Sequence, residues 1–334
     1  MRKLASVLVA VLVSLLLVGH SWAQSDKPIQ ITFSGKEPGK IPIRYHQMFT
    51  ELVNYRAKGK VKMTYFPRAQ LGSAEEQIDK VSTNVIQMCE RSTVAVAKYV
   101  KWATVNDLPF SGFSSPIVFK TWWDTTIAPA ENKDLAAFNL MNLPYVAYMG
   151  SSQIFSAAGP IRRLDDFKGK VFRAKSPGIE VKWMELLGAK VTVMPFSELY
   201  NALQQHVVDL MHNPARDAIA DKFYEVSKDL TVTNHKQFAY LVLVNTKFWN
   251  SLPPDIRKII ETSWAEAAYA WTAEAMEEEQ TILQQLQGPP YNMKVYFPAK
   301  EDLETIRKAV MPVYEYARTT IGSDKVDLLL KHVK

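Results

Sequence analysis

KVFRAKSPGIEVKWMELLGAKVTVMPFSELYNALQQ, residues 170–205, switches its hydrophobic period three times. Lys170–Arg173 alternates polar and apolar residues, as a half-exposed strand does, and Gly178–Leu187 then carries apolar residues at helical spacing. Lys190–Val193 alternates again, and Ser197, behind Pro195-Phe196, opens a helix to Gln205 with Leu199 and Leu203 on one face. Strand, helix, strand, helix with short turns is the pattern of an α/β unit, because a helical crossover is what returns the chain to a parallel neighbour.

The same alternation extends in both directions. Ile29–Phe33 reads as a strand and is followed by a Gly/Pro-rich turn over 35–42 and a helix through Tyr45, Met48, Phe49, Leu52 and Val53. Lys60–Phe66 is a second strand, Glu75–Ser82 a helix, Asn84–Cys89 a third strand, and Tyr145–Met149 a further one. The expected class is α/β with largely parallel sheets.

One segment is out of scale with the rest. From Asp255 to Gln287 there is no Gly or Pro, and Ile256, Ile259, Ile260, Trp264, Ala267, Ala268, Trp271, Ala275, Ile282 and Leu286 follow helical spacing until Gly288-Pro289-Pro290 stops it. At 1.5 Å per residue this helix is roughly 50 Å long, more than one small domain spans. Its apolar positions keep no clean heptad, so a strut shared by two domains is the simpler reading than a coiled coil.

The N-terminus has the layout of a secretory signal peptide. Arg2 and Lys3 precede an apolar run from Leu4 to Val18, and small residues at Ser21 and Ala23 place the cleavage after Ala23. The expectation is export to the periplasm with residues 1–23 removed. The chain has 334 residues, 47% of them hydrophobic and 22% charged, and a net charge of +6 that falls by two with Arg2 and Lys3. Basic and acidic residues are interleaved, which argues against nucleic acid or an anionic membrane as partner. Cys89 is the single cysteine, so no intramolecular disulfide forms, and its apolar surroundings read as core.

Catalytic signatures are missing. There is no GxSxG, HExxH, Walker loop or GxGxxG. His206 and His212 are six apart, a spacing that does not stack on a helix, and read as scattered surface or loop residues rather than metal ligands. No enzyme activity, metal or cofactor is expected.

Arg173 stands at the end of a strand, where open α/β sheets hold ligands, and its guanidinium can fork two donors onto a carboxylate, sulfonate or phosphate. The plain alternative is an arginine paired with a surface acid. Glu90 and Arg91 follow another strand end: Arg91 can add a charge and Glu90 can accept from a ligand hydroxyl or amine, or the two can pair with each other. Gln153, Trp183, Trp122 and Trp123 are further cleft-edge candidates, with core packing the plainer role for the tryptophans.

An ordered set of segments then resembles one family. These are Gln70-Leu71-Gly72-Ser73, Asp107-Leu108-Pro109-Phe110, Gly169-Lys170-Val171-Phe172-Arg173, Met194 to Gln205, Asp209, Asn213-Pro214 and Phe248 to Pro253 before the long helix. They are similar to the substrate-binding subunits of tripartite ATP-independent periplasmic (TRAP) transporters of the DctP type, along nearly the whole mature chain. The resemblance implies a two-domain periplasmic binding protein, with a ligand cleft between domains and the long helix spanning both. The domains are expected as 24–150 plus 239–278 and 151–238 plus 279–334. It implies that Arg173 salt-bridges a ligand carboxylate, that Asn213 contacts the ligand and that Phe196 packs in the cleft. It also implies a small organic anion as ligand and a small and a large membrane subunit as partners.

Two departures matter. Where many members carry a second arginine after the strand at Tyr145–Met149, this chain has Ser152, and the usual Gln-Glu before Asn-Pro is Met211-His212. Fewer fixed charges favour a ligand with one anionic group, so the expectation is a monocarboxylate delivered by hinge closure. A ligand-binding protein serving a signalling receptor and, less so, a secreted hydrolase are the alternatives.

Overall fold

The computed structural model describes residues 27–36 and 40–331; the expected signal peptide lies outside the described residues. The first half of the chain folds as β1 (Ile29–Ser34), α1 (Lys40–Arg56), β2 (Val61–Phe66), α2 (Ala74–Ser82), β3 (Met88–Ser92), β4 (Leu140–Asn142) and β5 (Ala147–Ser156). The second half adds β6 (Val171–Ala174), α3 (Ile179–Leu186), β7 (Lys190–Val193), α4 (Phe196–Gln204) and β8 (Leu210–Pro214). It closes with β9 (Asp229–Asn245), α5 (Pro254–Gln287) and β10 (Lys294–Tyr296), followed by helices at Lys300–Val310, Val313–Ile321 and Ser323–Leu330. The alternation read over 170–205 therefore holds within one or two residues.

All strands join in one sheet of order β2-β1-β3-β9-β5-β8-β6-β7, with β4 and β10 added along β9. It is mixed, which corrects the expectation of largely parallel pairing. β1 runs parallel to β2 and β3, and β6 runs parallel to β7 and β8, but β9 and β5 are antiparallel to each other and to their outer neighbours. β9 pairs β3 through Tyr240–Val244 and β5 mainly through Asp229–Tyr240, and β5 pairs β8 through Ser152–Ser156. These two strands thus run through both halves of the sheet. Their ladder is irregular between Tyr148 and Gly150 and again between Ser152 and Ile154. Extra residues at such points break the ladder and bend the strands.

The third strand is also shifted from the expected Asn84–Cys89 to Met88–Ser92, and Val85 is exposed. Cys89 is fully buried, as its sequence context suggested.

α5 spans the expected length and enters two apolar cores. Its first turns bury Trp264 and Trp271 against the larger core, where Trp264 Nε1 donates to the Tyr145 carbonyl at 2.8 Å. Its last turns place Ile282 and Leu286 in a second core with Phe155, Leu199, Leu203 and Met211. Between these stretches the buried stripe lapses, and Glu274, Glu277, Glu278 and Glu279 occupy the helix where it crosses the bent strands. Acids gathered there are tolerated because they find partners: Glu274 takes Arg44 and Tyr45, and Glu279 accepts from Tyr148 Oη at 2.7 Å and from the Ser151 amide at 2.7 Å.

Candidate functional site

β6 delivers Arg173 as the sequence suggested, but fully buried. Its Nε and Nη2 both donate to the Met194 carbonyl, at 3.1 and 3.0 Å, and the guanidinium lies 5.9 Å from the centre of the Phe196 ring. Nη1 is buried and has no hydrogen-bond partner among the described residues. Burial lowers its pKa to about 10, with Glu180 opposing, so it stays charged at neutral pH. A buried charge with an unmet donor is costly unless an anion meets it.

Two further side chains of this half share that condition. Asn213, at the end of β8, gives its amide to Asp217 at 2.6 Å, and its Oδ1 is buried without a partner. Ser152, on β5 in register with Pro214 and Lys236, is fully buried with an unpartnered Oγ. Phe196, half-buried at the start of α4, packs edge-on to Phe223 and forms the apolar floor beneath Arg173.

The other half contributes a compact polar group at the ends of β1 and β3. Glu90 is buried, its Oε2 3.3 Å from His46 Nδ1, and that nitrogen also lies 3.1 Å from Tyr65 Oη. Burial lowers the His46 pKa to about 3, so its imidazole is neutral at pH 7. Gly35 leaves room for this group: a Cβ there would sit 2.6 Å from Tyr65 Oη and 3.2 Å from Glu90 Oε2, so the side chains would have to shift. Ser34 Oγ is buried beside it without a hydrogen-bond partner.

Two expected site residues are committed elsewhere. Arg91 donates from Nε to Asn142 at 2.8 Å, from Nη1 to the Ser92 and Thr93 carbonyls at 3.1 and 2.9 Å, and from Nη2 to the Glu131 carboxylate. This internal network is wholly buried and engages every nitrogen of the Arg91 fork. Gln153 is saturated by Ser151 O, Asn234 Oδ1 and the amides of Thr233 and Asn234, so it pins the irregular part of β9. Trp122, Trp123 and Trp183 are core residues.

A buried chain of polar groups on β8, β9 and α3 was not legible in the sequence. His212 is buried, not a surface or loop residue: its Nε2 lies 2.6 Å from Glu180 Oε1 and its Nδ1 lies 3.0 Å from His235 Nε2. His235 Nδ1 in turn meets Thr233 Oγ1 at 2.7 Å. With Glu180 ionised, one consistent assignment runs from Thr233 through both neutral rings to the carboxylate. Burial, aided by Lys175 and Lys236, lowers His212 to about 4 and holds His235 well below the usual range. Burial alone would raise Glu180, but Lys175, His212 and Lys236 hold its carboxyl well below the ordinary range. Lys236 also pairs with Asp107 of the Asp107-Leu108-Pro109-Phe110 segment, and Lys175 Nζ lies 3.5 Å from Glu180. Among the described residues no group of three or more His, Cys, Asp or Glu is placed to hold a metal ion.

An α/β sheet in two halves, bridged by two bent strands and one long helix, with buried unmet hydrogen-bonding groups at its strand ends, defines a solute-binding protein. The chain belongs to the bacterial extracellular solute-binding proteins of family 7, DctP, whose family model matches residues 37–320, and is thus a substrate-binding subunit of the TRAP type. It is 29% identical over 282 residues to the C4-dicarboxylate-binding periplasmic protein DctP of Rhodobacter capsulatus, covering 83% of each chain. Its structure is similar to the sugar acid binding protein DctPAm of Advenella mimigardefordensis in complex with galactonate (TM-score 0.85, 28% identity, 92% and 98% of the two chains covered). It is also similar to a TRAP solute-binding protein of Sulfurospirillum deleyianum with bound succinate (TM-score 0.84, 26% identity, 92% and 100% covered). The family is a transport family of periplasmic proteins that take small organic acids and work with membrane subunits, not a family of enzymes.

Proposed function

We propose that this protein captures a hydroxylated monocarboxylate in the periplasm and hands it to the membrane subunits of a TRAP transporter. The observation that carries the reading is Arg173 Nη1, a buried cationic donor with no hydrogen-bond partner among the described residues. A ligand carboxylate meets it, Asn213 Oδ1 and Ser152 Oγ orient the adjoining hydroxyl groups, and Phe196 supports the guanidinium from below. Glu90, with Ser34 nearby, receives ligand hydroxyls from the other half. Ser152 supplies no second cation, and Lys175 lies 3.5 Å from Glu180, so a ligand with one acid is favoured over one with two. The galactonate held by one relative has this chemistry, one acid and several hydroxyls, whereas the succinate of another does not.

The two halves act as lobes, with boundaries at 150/151 and 238/239, next to the ladder irregularity at Tyr148–Gly150 and the Gly150↔Phe238 pair. Contacts from both lobes favour the closed form by their differential affinity for it. Arg91 and Gln153 are outside the ligand set. A thermal-shift series on the mature chain with galactonate, gluconate, lactate, pyruvate and succinate tests this. The hydroxylated monocarboxylates raise the melting temperature and succinate does not; a larger shift with succinate overturns the reading.

A further inference from the structure

A cavity lies apart from these residues. It has a volume of about 450 Å³ and sits where α5 crosses the bent stretches of β5 and β9. Arg173, Asn213, Ser152 and Glu90 do not line it; Gln153 borders it only through a side chain already saturated. The size is within the ordinary range for small-molecule sites.

Two opposite charges stand side by side in its wall. Arg216, just beyond β8, is 7% exposed, and its Nε and Nη1 have no hydrogen-bond partner among the described residues. Glu278 of α5 forms a long ion pair with it, Oε2 3.5 Å from Nε, without a hydrogen bond. Burial and the neighbouring Glu274 raise the Glu278 pKa, against Arg216 and Arg44, so this carboxylate too is short of positive charge. Glu279, in the same wall, is already met by Tyr148 and Ser151. Beside this pair the lining is mixed, with apolar Val232, Ile282, Leu283 and Phe297 and polar Ser114, Ser115, Asn234 and Gln237. A monoanion would satisfy Arg216 but face Glu278, and a plain cation would do the reverse. A molecule bearing both charges meets both.

We propose that this cavity is a second binding site, for a zwitterionic α-amino acid that sets its carboxylate on Arg216, its ammonium on Glu278 and its side chain against Ile282, Leu283 and Phe297. The site does not depend on the identity of the acid bound at Arg173. The direct test is fluorine NMR on the mature chain titrated with 4-fluoro-L-phenylalanine, alongside its N-acetyl derivative and its carboxamide. Saturable broadening of the parent is expected in the wild type and in Arg173→Met, with at least tenfold weaker binding in Arg216→Met and in Glu278→Gln. Each derivative, lacking one charge, is expected to bind at least tenfold more weakly to the unaltered protein, an arm that needs no variant to fold. Three results overturn the proposal: no saturable binding, binding abolished by Arg173→Met but kept in Arg216→Met, or equal binding of the N-acetyl derivative.

Discussion

Arg91 and Arg173 are both fully buried arginines at strand positions, and they differ in what surrounds them. Arg91 has an acid, an amide and two carbonyls arranged around its fork. Arg173 has one carbonyl shared by two of its nitrogens and a third nitrogen with no hydrogen-bond partner among the described residues. A saturated buried charge holds the fold together, while an unsaturated one stores a cost that a ligand can remove. Burial alone does not separate the two roles; the count of partners does.

The largest effect is expected where a saturated charge is broken. Arg91→Met leaves Glu131 buried without its cation, and the loss should be about 3–5 kcal/mol in urea unfolding. A loss under about 1 kcal/mol would place Arg91 outside the structural class. The double variant Arg91→Met with Glu131→Leu should recover a good part of that loss, because no uncompensated charge is left.

Acid tests the neutral histidines next. His46 and His212 titrate near 3 and 4 in the folded chain against about 6.5 when unfolded, so the unfolded chain binds more protons between those values. Stability is therefore complete above about 6.5 and declines as pH falls toward 4. A melting profile flat from pH 7 to pH 4.5 would contradict buried neutral rings. His212→Gln should flatten part of the slope.

A saturated polar group at the surface should matter least. Ser73 caps α2 in a reciprocal box with Glu76, the serine oxygen accepting from the Glu76 amide at 3.3 Å and Glu76 accepting from the Ser73 amide at 2.7 Å. Ser73→Ala should cost about 1 kcal/mol, read from the same unfolding curves. A cost matching that of Arg91→Met would show that partner count says nothing without burial.

The same contrast explains what could be read from the sequence. The helices and strands of 170–205, the long α5 and the strand-end position of Arg173 are set by local period and by Gly and Pro stops, which a single chain displays. β9 was missed because its middle, Asn234-His235-Lys236-Gln237, holds no apolar residue to show a strand period, and of these only Lys236 and Gln237 pair with β5. Its antiparallel course is what turned an expected parallel sheet into a mixed one. The Arg91 network was not legible because its acid lies 40 positions away on another element. The Glu180–His212–His235 chain joins residues 32 and 23 apart, brought together by the packing of α3 and the adjacent strands, which no spacing rule foresees.

The central claim is that Arg173 is unsaturated because it awaits a carboxylate. Calorimetric titration of the hydroxy acid that binds the wild-type chain, repeated on Arg173→Met, tests it in one step. The account predicts at least about thirtyfold weaker binding, since truncating one partner of a buried charge pair costs about 2–5 kcal/mol, with the ligand-free melting temperature little changed. Affinity kept within threefold of the wild type would contradict it.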